Sequence, residues 1–189
     1  MRQTLALLML AVFPLLHGCA PLVVGGAAAG GVMVAQDRRT MGTITEDEGI
    51  ELKAANRIGE RFRDGAHFNV TSYNRMVLLT GEVANAAAKA EAEKIARAVE
   101  NVRGVHNELQ VAGNSSLSAR ANDSYLTSKV KARFVDAQKF NPFHVKVVTE
   151  NNVVYLLGLV KRQEANEATE IARTTGGVQK VVRIFEYLD

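Results

Sequence analysis

Residues 67–83, HFNVTSYNRMVLLTGEV, and residues 144–160, HVKVVTENNVVYLLGLV, align without a gap at His67/His144, Val70/Val147, Asn74/Asn151, Val77/Val154, Leu79/Leu156, Gly81/Gly158 and Val83/Val160. A chain that repeats a segment in this way folds one structural unit twice. The 189 residues are therefore expected to form two small modules rather than one mid-sized domain.

Within each copy the hydrophobic period changes from helical to strand-like and back. Leu126, Val130 and Phe134 recur at i, i+4 and i+8, with Asn122 or Asp123 as the expected N-cap. Ala54, Ile58 and Phe62 are taken as the same stripe in the first copy. A hairpin follows, turning at Asn74-Arg75 and at Asn151-Asn152, because asparagine tolerates the positive φ of two-residue turns. Gly81 and Gly158, late in the second strand, suggest close backbone approach by a packed helix. A second helix shares Ile95-Ala96-Arg97 with Ile171-Ala172-Arg173, and closing strands run over 105–111 and 181–187. The expected fold is α+β: two tandem α-β-β-α-β modules, each a three-stranded mixed sheet covered by two helices. About 65 residues suffice for such a unit to fold, though marginally.

The N-terminus has a different character. Arg2 and the apolar run 5–16 have the form of a secretory signal, which ends in Leu16-His17-Gly18-Cys19. This resembles the lipobox of bacterial lipoproteins, although His17 departs from the small or apolar residue usual there. The alternative is an ordinary signal peptide with an incidental cysteine. The coincidence of leader, glycine and a single thiol favours acylation at Cys19. Ala20 follows, rather than the aspartate associated with inner-membrane retention. The organisation read from sequence is a signal peptide at 1–18, a lipidated terminus and flexible tether at 19–48, a first module at 49–112, a linker at 113–121 and a second module at 122–189.

The central strands VLLTGEV (77–83) and VYLLGLV (154–160), with their V-x-L-x-G-x-V pattern, resemble the BON domain. The whole chain resembles the lipoproteins with two BON domains of the proteobacterial outer membrane. That resemblance implies a lipid-anchored protein of the outer membrane facing the periplasm, with enrichment at the division site. It also implies binding of anionic phospholipid through the first helix of the second domain, in support of outer-membrane integrity.

The residues themselves agree with such a role. With the Leu126 stripe inward, the outward face carries Tyr125, Ser128, Lys129, Ala132 and Val135, flanked by Lys131. An aromatic and an aliphatic between lysines suit an anionic membrane surface; the alternative is that Tyr125 and Val135 pack on the first module. In the first copy the matched positions are taken as Lys53, Asn56, Arg57, Glu60 and Arg63, with nothing apolar to insert. Residues 114–189 hold 11 Lys+Arg against 8 Asp+Glu, whereas 49–113 hold 9 against 8.

No catalytic motif stands at a useful spacing, so no enzyme activity and no cofactor are expected. Metal ligation by His67 and His144 is not expected either, since a strand of one module would have to reach the other. A formal charge of +3 without a basic run gives nucleic-acid binding little support. The competing function is a protein-interaction scaffold, with outer-membrane assembly or division-site proteins as partners.

Overall fold

The computed structural model describes residues 37–63 and 66–189. The expected signal peptide and Cys19 lie outside them. The first module runs α1 (Met41–Phe62), β1 (His67–Tyr73), β2 (Met76–Val83), α2 (Ala86–Arg97), β3 (Gly104–Asn107) and β4 (Gln110–Val111). The second runs α3 (Leu117–Ala137), a short 3₁₀ turn (Pro142–His144), β5 (Val145–Glu150), β6 (Val153–Val160), α4 (Arg162–Arg173) and β7 (Lys180–Tyr187). Each sheet is mixed. β1–β2 and β5–β6 are antiparallel hairpins, while β3 and β7 return parallel to the central strand after a helical crossover. The closing strand expected over 105–111 is interrupted, and the buried Leu109 fills the break between β3 and β4.

Both hairpin turns have positive φ at their two central residues, Asn74 and Arg75 (50° and 65°) and Asn151 and Asn152 (49° and 60°). This is the conformation that matches strand twist across a two-residue loop. Their free N–H groups are taken by an acid on the preceding helix. Asp47 accepts from Asn74 N (2.8 Å) and Arg75 N (2.7 Å), and Asp123 from Asn151 N and Asn152 N (both 2.9 Å). Each first helix is thus stapled to its hairpin by a buried carboxylate.

The staple corrects the phase read from sequence. The buried stripe following Asp47 is Ile50, Ala54 and Ile58, in step with Leu126, Val130 and Phe134 after Asp123. The assumed alignment was one helical turn late. Asp123 is also no N-cap: α3 begins at Leu117, where the Ser116 side chain accepts from Ala119 N. The helix therefore enters the stretch read as linker, and α1 likewise begins at Met41, inside the stretch read as tether. The glycine reading changes as well. A Cβ on Gly81 or Gly158 would collide with the carbonyl oxygen of His67, at the start of β1, or of His144, just before β5, so the close approach comes from the paired segment of the hairpin and not from a packed α-helix. Gly81 alone adds a positive φ of 115°.

The helices cover one face of each sheet, forming the cores around Ile58, Leu79 and Ala96 and around Phe134, Leu156 and Ala172. The helix-free faces pack on each other through Tyr73, Leu78, Tyr155 and Leu157. This explains why β2 and β6 are apolar almost throughout instead of alternating. Polar contacts close the seam nearly symmetrically. The turn asparagine of each module donates to a glutamate of the other, Asn74 to Glu186 (2.9 Å) and Asn151 to Glu82 (2.6 Å).

Candidate functional site

α3 is fixed from below. Leu126, Val130 and Phe134 are buried, and the Phe134 ring meets Phe140 edge-on at 5.0 Å between centroids. Arg133 ties the helix to the end of α4 by donating to Ile171 O (2.9 Å) and Thr175 Oγ1 (2.7 Å). A helix held along one stripe must present the opposite one.

That outer stripe is solvent-facing. Tyr125 is 62% exposed and Val135 58%, so neither packs on the first module. Ser128, Lys131 and Ala132 are exposed between and beside them. Lys129 differs: it is half-buried, its Nζ donates to Gly176 O at 2.9 Å, and it lies 5.8 Å from the Tyr125 ring centroid. Its charge remains beside the aromatic, while its reach away from the surface is limited. Asp136 borders the patch at Val135 and is exposed.

With α1 in its corrected phase, the counterpart face carries Gly49, Leu52, Lys53, Asn56 and Gly59 rather than a row of charges. Gly49 stands where Tyr125 does and Gly59 where Val135 does. One large apolar side chain remains there, Leu52, 63% exposed. The contrast between the faces therefore rests on an aromatic and an aliphatic against two glycines. The signal that locates the equivalent turn is in the sequence, as Asp-x-x-Ile/Leu ahead of each stripe.

The segment before α1 is docked. Arg38 forms a two-pronged pair with Glu164 (2.6 and 2.9 Å) and also donates to Leu159 O (2.8 Å). Arg39 pairs with Asp37 and Asp47 (both 2.8 Å) and stacks 4.0 Å from the Tyr73 ring centroid. Burial opposes the Glu164 charge, yet hydrogen bonds from Arg38, the Lys161 N–H and His144 hold it down to about 2. Burial, with Asp37 adding to it, pushes the Tyr73 hydroxyl up to about 12. The two successive arginines, read as part of a tether, grip one module each.

No helix among the described residues is long and apolar enough to cross a membrane. The BON domain matches twice, at residues 46–113 and 122–188. The outer membrane lipoprotein DolP of Haemophilus influenzae is 41% identical over 92% of this chain and 91% of its own length. The 21 kDa hemolysin of Actinobacillus pleuropneumoniae is 30% identical, covering 80% of this chain and 79% of that protein. The osmotically-inducible protein Y of Escherichia coli is also 30% identical, with 80% and 77% covered.

Proposed function

The chain belongs to the BON-domain family, with two BON domains, and from that premise we propose that it is a lipid-anchored protein of the outer membrane that binds anionic phospholipid through the outer face of α3. Cys19 carries the acyl anchor, the protein faces the periplasm, and its binding supports envelope integrity, with enrichment at division sites where anionic lipid accumulates. Tyr125 and Val135 enter the headgroup region, and Lys131 with Lys129 meets the phosphates; each cation near an anionic surface contributes about 1 kcal/mol. Ser128 and Ala132, both small, let the helix lie close to the surface.

The observation that supports this reading is the exposure of Tyr125 and Val135 on a helix whose other side is locked. An aromatic and an aliphatic left in water beside lysines have a use at a membrane interface. The role is one of binding, with no reaction assigned to it.

The test is co-sedimentation with vesicles, using a form of the chain that starts after Cys19 so that the anchor cannot act. Binding to vesicles rich in anionic lipid at low salt is expected, with little to neutral ones. Tyr125→Glu should weaken it by about tenfold, since one apolar insertion becomes a repelled charge. Equal binding to neutral vesicles, or an unchanged Tyr125→Glu variant, defeats the reading.

A further inference from the structure

The seam between the two sheets buries a cluster for which the phospholipid reading has no use. His67 and Glu82 are register partners across the β1–β2 hairpin, so their side chains stand together on one face. That face is the one turned to the second module, whose Glu150, at the end of β5, meets them. The three offer one imidazole nitrogen and two carboxylate oxygens within 4.8 Å of one another. Glu82 is 2% exposed and Glu150 4%.

Their hydrogen bonds orient the acids. Glu82 accepts from Asn151 Nδ2 (2.6 Å) and Ser115 N (3.0 Å), and Glu150 accepts through Oε2 from Asn69 Nδ2 (2.8 Å). Glu150 Oε1 is left facing His67 Nε2 at 3.6 Å, beyond a good hydrogen bond. Among the described residues no lysine or arginine forms an ion pair with either acid.

Two buried carboxylates facing one imidazole, oriented by neutral amides, leave negative charge that these donors do not cancel. A divalent cation cancels it and matches the nitrogen and oxygen donor set. A cleft of about 340 Å³, lined in part by His67, Asn69, Thr127 and Glu150, reaches the cluster. It supplies an entry path and room for a water as fourth ligand. Tetrahedral coordination places donors about 3.4 Å apart, closer than the 4.8 Å within which the three ligand atoms lie here.

We propose that His67, Glu82 and Glu150 form a site for one divalent cation of the zinc class, which links the first module to the second. The sequence does not show this site, because the repeat sets His67 opposite His144 and leaves Glu150 in the other module. The second module does reach His67, but with Glu150, while His144 turns to Glu164 in its own module (3.3 Å).

The experiment is calorimetric titration of Zn²⁺ into the full-length chain in detergent micelles after treatment with a chelator. One Zn²⁺ per chain is expected, with a raised unfolding midpoint. His67→Ala and Glu150→Gln should each lose affinity by at least about tenfold, and His144→Ala should match the parent. Co²⁺ should give the visible bands of a four-coordinate nitrogen and oxygen site in the parent, a readout that needs no variant to fold. Absence of binding, binding that survives both substitutions, or a midpoint that moves with pH but not with Zn²⁺ overturns the proposal.

Discussion

The two modules carry the same staple and the same strand glycine, yet they differ at nearly every outward position of their first helices. Asp47 and Asp123 do one job, and Ile50-Ala54-Ile58 and Leu126-Val130-Phe134 fill one groove. Around them Gly49 and Gly59 stand where Tyr125 and Val135 do. The repeat-equivalent histidines also diverge: His67 turns to Glu150 across the seam, while His144 turns to Glu164 beneath the arginine strap. Positions the fold needs are shared. Positions that face solvent, strap or partner module have been free to separate.

The strand glycines give the most forceful way to break that comparison. Both face a histidine carbonyl at the entry to the paired strand, but only Gly81 combines the collision with a positive φ of 115°. Gly81→Ala is expected to cost about 3–4 kcal/mol and Gly158→Ala about 2 kcal/mol, read from urea unfolding curves. If the two variants lose equally, backbone strain does not distinguish the modules and the carbonyl contact alone explains both glycines.

The staples come next. Asp47 accepts from Ser72 Oγ (2.6 Å) and Arg39 Nη1 (2.8 Å) as well as from its turn, whereas Asp123 has the two turn N–H groups. Removing either acid strands donors that burial keeps from water. Asp47→Ala should cost about 3 kcal/mol and Asp123→Ala about 2 kcal/mol, in midpoint shifts at constant m-value. A larger loss at Asp123 would mean that the strap through Arg39 adds nothing to the first module.

These staples also show what was legible in the chain. Strand limits of the first hairpin, turn residues and the α3 stripe could be read, because period and turn chemistry are local. The α1 stripe was misplaced because Ala54, Ile58 and Phe62 have the right spacing on their own; only the contact of Asp47 with a turn some 27 residues later sets the phase. The sheet-on-sheet seam had a visible sign in VLLTGEV and VVYLLGLV, strands too apolar to have a wet face. Its partner was not visible, since period says that a face is buried and not by what. The exposed members of the α3 face, Tyr125, Ser128, Lys131, Ala132 and Val135, were legible, and the turn of Lys129 toward Gly176 was not. The His67 cluster depends wholly on how the modules meet.

The strap offers the gentlest test of the asymmetry. α2 opens with Ala86, Ala87 and Ala88, and so presents no acid where α4 presents Glu164 to Arg38. Glu164 has its folded pKa depressed from 4.5 to about 2. A depressed carboxylate contributes stability that is full above its unfolded value and is lost as pH falls through the folded one. The parent should therefore exceed Glu164→Gln in stability at neutral pH, by about 1 kcal/mol because Arg38 is partly in water and screened. That difference should close between about pH 4.5 and pH 2. Arg38→Ala should start with most of the advantage already gone and show a flatter acid profile. Should the parent and Glu164→Gln differ equally at pH 6 and pH 2, the acid acts through packing and not through its charge, and the strap is no electrostatic feature of the second module.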